Sequence, residues 1–294
     1  MFCEPEWDDE VDVVVTGTGS AGLATAISAV EHDGEVFLAE VAGADRSDGL
    51  SGLRRYFAVD AEDDSGDGED EDDRDEATSK YFWALTEDLD LTTLAQRDPD
   101  LPVRLMPETA PVRGRRVPPF EGWRLREWAA VCIPSPTGYL YTQVTDWTST
   151  STCTENGEQF EITELGVMSP DPADPAGSVH RWLAEEADDR GLSPSPVQRL
   201  ERLEFDEGRV IGAVFATDDG PLAVRARHGV LICGDDVTGR GAPWPALANG
   251  TRLRVALVGK DASRFGRLEL LTSDPAVVAA IPPYSATTVT TSRS

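Results

Sequence analysis

The hydrophobic positions of the first forty residues change period twice. Val11, Val13, Val14 and Val15 form a short β-branched run of the kind a buried parallel strand needs. After a glycine-rich interval, Leu23, Ala24, Ala26, Ile27 and Val30 recur at helical spacing. Gly34 stops that stripe, and Val36, Phe37 and Leu38 predict a second strand ending at Glu40. Farther along, Tyr81, Phe82, Leu85 and Leu89 predict an amphipathic helix over 78–94, with Thr78 as its N-cap. Residues 122–131 predict another helix. Residues 139–147 alternate apolar and polar and predict a strand, as do 160–167. A helix is expected over 178–187, capped by Ser178 and stopped by Gly191. A run of strands follows: 197–203, then 205–215 folded at a Glu207–Gly208 turn, then 222–227, then a short buried strand over 229–233. Beyond Val237 the pattern predicts one clear strand, over 253–258, and a Ser/Thr-rich tail.

The glycine-rich interval carries chemistry. Gly17, Gly19 and Gly22 stand in the spacing G-x-G-x-x-G between a predicted strand and a predicted helix. The first glycine permits a tight turn, the second lets a pyrophosphate reach the backbone, and the third lets the helix pack closely on the strand. The phosphates would then lie on the N–H groups at the positive end of the helix dipole. Glu40 falls where an acid accepts hydrogen bonds from the adenosine ribose. The segment 11–40 therefore predicts a dinucleotide-binding β–α–β unit.

Composition narrows the partners. The 294 residues carry a net charge of −28, which repels nucleic acid and anionic membranes. The expected partner is a small molecule. No run of about 20 apolar residues predicts a membrane-spanning helix. The acidic start of the chain lacks the pattern of a signal peptide, so a cytoplasmic setting is expected. Cys3, Cys132, Cys153 and Cys233 are scattered and predict reduced thiols rather than a disulfide framework or zinc site. Residues 60–76 are nearly all acidic and predict a solvated loop, without the spacing of a calcium loop. No metal site is expected.

Four segments, taken in order, carry a family resemblance. They are WDDEVDVVVTGTGSAGLATAI from Trp7, HRWLAEEADDRGL from His180, VQRLERLEFDEGRVIGAVFA from Val197 and ARHGVLICGDD from Ala226. This order resembles the FAD-dependent oxidoreductases of the fumarate reductase and 3-ketosteroid dehydrogenase flavoprotein class. The resemblance implies an α/β fold: a Rossmann-like FAD-binding domain of the glutathione reductase type with an inserted cap region. It divides the chain into a discontinuous FAD-binding domain, 8–60 plus 177–236, a cap or substrate region over 61–176, and a C-terminal extension, 237–294. It implies that Gly17, Thr18, Gly19, Ser20, Ala21 and Gly22 face the FAD pyrophosphate and that Glu40 holds the ribose. Ser51 and Gly52 would approach the flavin-proximal phosphate, Val197 the adenine, and Cys233 and Gly234 the pyrophosphate.

The implied activity is hydride transfer between flavin and a small apolar or carbonyl-bearing organic substrate. Such chemistry needs a proton partner near the flavin. Tyr139 and Tyr141 are the candidates retained, since alternation puts both on one face of a strand. That face could line a pocket with Trp123 and Trp128, or these aromatics could form a small core. His180, Arg124 and Arg126 are further candidates. Two other readings stay open. One is a flavoprotein fold that has lost flavin and serves in binding, scaffolding or non-redox catalysis. It follows from the lack of a recognisable flavin-facing glycine-rich stretch after Val237. The other is an NAD-binding enzyme, because the same motif serves either dinucleotide.

Overall fold

The computed structural model describes residues 6–41, 75–87, 89, 101–106, 122–143, 150–153, 159–233, 242–260 and 262–282. The chain opens with β1 (Asp9–Val11), β2 (Val13–Val15), α1 (Ser20–Glu31) and β3 (Val36–Val41). Next come α2 (Glu76–Thr86), β4 (Val103–Leu105), α3 (Gly122–Cys132), β5 (Gly138–Tyr141), β6 (Thr150–Cys153) and β7 (Gln159–Met168). α4 (Pro175–Asp189) leads to β8 (Ser195–Val197), then β9 (Arg199–Asp206), β10 (Arg209–Thr217), β11 (Gly220–Ala226) and β12 (Val230–Cys233). The last described elements are β13 (Leu253–Gly259), β14 (Phe265–Thr272) and α5 (Pro275–Ala280).

The fold is mixed α/β around one large sheet, ordered β6-β7-β13-β14-β5-β12-β2-β3-β8, with β4 also on β14. One part is parallel: β12, β2, β3 and β8 all run the same way. The rest is antiparallel, apart from β4, which runs parallel to β14, and joins it through β5 on β12. Thus β5, whose residues fall within the predicted inserted region, hydrogen-bonds into the large sheet between β12 and β14. A second sheet, β1-β11-β10-β9, is an antiparallel meander with β1 parallel to β11. Its β9–β10 turn places Glu207 and Gly208 at φ 47° and 77°, the left-handed pair that a tight hairpin requires.

Alternation along the parallel strands builds two cores. Val14, Phe37, Ala39 and Ile232 face the meander, α2 and α3. Val13, Val15, Leu38, Leu231 and Cys233 face α1 and α4. Small residues on α1 (Ala21, Gly22, Ala24, Ala26) keep that helix close to the strands. The helix caps differ from the sequence reading. Asp75, near the end of the acidic run, caps α2 by accepting from Thr78 N at 2.7 Å. Thr78 instead accepts a hydrogen bond from Leu203 N, tying α2 to β9. Asp174, not Ser178, caps α4.

Like the shorter β4 and β6, β14 is a strand that the pattern did not show. All eight of its residues are buried, including Arg267 and Glu269. Charges at alternate positions read as a solvated face, but here they are paired internally. Arg104 on β4 donates through Nε and a terminal nitrogen to the two Glu269 oxygens, at 2.6 and 2.7 Å. Arg267 Nε donates to Glu269 Oε1 at 2.7 Å. Arg104 also stacks over Phe160, with its guanidinium 4.2 Å from the ring centre. Burial alone would raise the Glu269 pKa, but Arg104 and Arg267 outweigh it and hold the carboxyl down at about 2.

Candidate functional site

The glycine turn lies at the carboxyl ends of the parallel strands. Thr16 N donates to Leu231 O at 3.0 Å, fastening the turn to β12. Cys233 N donates to Thr16 Oγ1 at 3.3 Å, and its thiol contacts Gly17 O at 3.6 Å. Gly17, Thr18 and Gly19 are buried and Ser20 is half-buried. Gly19 is the N-cap residue of α1, with φ −60° and no side-chain capping bond, and the first turn of α1 holds no acid. Among the described residues, no side chain caps this helix end, where backbone N–H groups suit an anion.

Gly22 has a steric requirement. A Cβ there would lie 1.9 Å from Gly17 O and 2.9 Å from Cys233 Sγ. A side chain would have to push α1 off the turn, so the third glycine sets how closely helix and strand approach. Glu40 and Val41 lie at the end of β3, paired with Pro196 and Val197 on β8. The described residues assigned to the cofactor therefore gather at one end of β12, β2, β3 and β8. Ser51, Gly52 and Gly234 lie outside the described residues, as do most of the acidic run 60–76 and the side chains of Trp123 and Arg124.

Tyr139 and Tyr141 share the α1 face of β5, as alternation requires. Trp128 does not join them. It lies on the opposite face of the sheet, where its Nε1 donates to Phe265 O at 2.8 Å. The reason is that α3 packs on that face, over β14. Tyr141 Oη donates to His228 O at 2.7 Å. Burial raises the pKa of both phenols; Cys132, Glu161 and Glu269 add to the effect at Tyr139, and Asp12 at Tyr141. Both therefore stay protonated through the neutral range and can donate a proton or hydrogen bond.

Two glycines missed in the sequence shape this region. Gly259 on β13 and Gly266 on β14 are direct cross-strand partners. The Tyr139 ring lies over Gly266, where a Cβ would come within 2.4 Å of it. A Cβ at Gly259 would meet nothing within 4 Å. Beside them is a cavity of about 130 Å³, bounded by Thr25, Ser28, Tyr139, Tyr141, Glu161 and Leu257 among others. No local pattern announced them, since Gly259 lies just past the predicted strand and β14 was not read as one.

Among the described residues, no group of three His, Cys, Asp or Glu side chains is placed to hold a metal ion. No described helix is long and apolar enough to cross a membrane. Cys132 and Cys233 are buried and not joined in a disulfide.

No family model matches the chain, and no curated protein matches it. Among solved structures, it is similar to a 3-ketosteroid-Δ4-(5α)-dehydrogenase from Rhodococcus jostii RHA1, crystallised in complex with 4-androstene-3,17-dione. The identity is 23% and the TM-score 0.31, over 76% of this chain and 46% of that one. The chain thus spans a little under half the length of that dehydrogenase chain, and a likeness this loose fixes neither fold nor function.

Proposed function

We propose that the chain binds FAD at the 17–22 turn and acts as an FAD-dependent oxidoreductase on a small apolar or carbonyl-bearing organic molecule. The observation that carries this reading is the turn itself. A G-x-G-x-x-G segment leaves the carboxyl end of a parallel strand, opens a helix without a side-chain cap, and requires its third glycine sterically. The strand order adds support. Taken from β8 to β12, the parallel strands are third, second, first and fourth in the chain, the order of a dinucleotide-binding half. The meander between β8 and β12 favours FAD over NAD, because the resemblance places such a meander in the flavin domain.

In this reading, residues 8–60 plus 177–236 hold the cofactor, and bound FAD supplies hydride transfer. The N–H groups and dipole at the start of α1 stabilise the pyrophosphate charge. Glu40 would hold the ribose by accepting its hydroxyl hydrogens. Val197 would meet the adenine, and Cys233 steadies the turn through Gly17 O. Tyr139 and Tyr141, kept as neutral phenols, serve as candidate proton donors. Ser51, Gly52 and Gly234, outside the described residues, would supply the remaining phosphate contacts.

The test is to denature the purified protein and analyse what it releases, then to reconstitute it with FAD and follow flavin bleaching by a chemical reductant and reoxidation by small enones. Released or reconstituted FAD that is reoxidised by an enone supports the proposal. Bound FAD that no organic acceptor reoxidises points to the non-redox reading. Failure to bind any flavin removes the proposal altogether.

A further inference from the structure

We infer that the cavity beside Gly259 and Gly266 is a binding site for a small neutral ring bearing one hydrogen-bond acceptor, separate from the glycine turn. The two features are set apart along α1. The turn sits at the start of the helix, while the cavity meets Thr25, Ser28 and Ala29. From Ser20 to Ser28 the helix rises about 12 Å.

The cavity has a cause in the sequence. On the α1 face of the sheet, neighbouring strands present Leu257 and then Gly259 on β13, and Gly266 and then Leu268 on β14. The paired glycines leave a gap where their neighbours fill space. Tyr139 lies over one glycine; the space above the other remains open. Neither glycine has a left-handed φ, so backbone conformation does not require them.

The lining selects the ligand. Val13, Ala29, Leu231 and Leu257 provide apolar surface. Among the described residues, no protein group hydrogen-bonds the Tyr139 hydroxyl, although the ring is largely buried. Such a hydroxyl can donate to an acceptor placed in the cavity. Tyr141 already donates to His228 O and is left with its lone pairs. Arg264 and Lys260 border the cavity, but their charged ends turn to the other face. Arg264 donates to Tyr81 Oη, and Lys260 lies over the Trp128 and Phe160 rings. Glu161 also borders the cavity. A volume of about 130 Å³ suits one ring, since apolar cavities of about 150 Å³ accept benzene.

Anisole and ethylbenzene provide a matched pair of probes, because they differ only in an ether oxygen in place of a methylene. Saturation-transfer NMR and ligand titration of the whole protein, without added flavin, would measure both. Wild type should bind both, preferring anisole by about tenfold, the worth of one hydrogen bond. Tyr139→Phe should retain ethylbenzene binding and lose the preference. Gly259→Val should abolish both, since its side chain enters the cavity while suiting a strand. No binding of either probe to wild type, a preference that survives Tyr139→Phe, or binding that survives Gly259→Val would overturn the assignment. None of these outcomes depends on whether the turn binds FAD, so the two proposals fail separately.

Discussion

Replacing Glu269 with Gln tests how the buried end of the large sheet is held. Glu269 is fully buried and accepts from both Arg104 and Arg267, which are also buried. Neither guanidinium can shed its proton. Without the carboxylate, two cations remain in a place that water does not reach, and breaking a buried ion pair from one side costs about 3–5 kcal/mol. The shift in its pKa points the same way. Glu269 titrates at about 2 when folded, against 4.5 for an ordinary glutamate. The folded state therefore binds this proton less readily, and the gap corresponds to about 3 kcal/mol of stability at neutral pH. That stability is complete above about pH 4.5 and is lost as pH falls toward 2. Urea unfolding of wild type and variant, repeated from neutral to acid pH, would read both effects. The variant should be less stable by about 3 kcal/mol at neutral pH, with a melting temperature roughly 10 °C lower. The difference should shrink as pH falls through the wild-type titration. Equal stability at neutral pH, or a gap that stays constant into acid, would refute the reasoning.

Other substitutions probe the remaining links. Gly22→Ala should destabilise by about 1–3 kcal/mol, because its Cβ collides with the backbone at Gly17. It should also weaken FAD binding at least about tenfold, measured by flavin fluorescence quenching. Gly266→Ala should displace the Tyr139 ring and lower stability, and Tyr139→Ala in the same chain should recover much of that loss; a double-mutant cycle in urea checks the coupling. Thr78→Val leaves Leu203 N without its acceptor and should cost about 1–3 kcal/mol, read by thermal unfolding and by faster hydrogen exchange at Leu203.

The parts of the fold legible in the sequence are those whose partners lie nearby in the chain. The valine run, the glycine spacing, the α1 stripe and the Glu207–Gly208 hairpin each specify themselves over a few residues. β14 was hidden because Arg267 and Glu269 interrupt its apolar run, and their partner Arg104 is some 160 residues earlier. β5 reads as a strand locally, but nothing in 139–147 announces that it pairs with β12. Asp75 looked like one acid among many in a solvated run, yet it caps α2. Tyr139 and Tyr141 were recognisable as a shared face. The glycine pair that makes space beside them depends on strand register, which single-chain periodicity does not encode.

The central claim is that the turn from Gly17 to Gly22 holds FAD. The most direct measurement is an equilibrium titration of the purified, flavin-stripped chain with FAD and, separately, with NAD, in wild type and in Gly19→Trp. Saturable binding of FAD at one site per chain, much tighter than NAD and lost in Gly19→Trp, is the predicted result. No FAD binding, binding of NAD alone, or FAD binding unchanged by Gly19→Trp would contradict the claim.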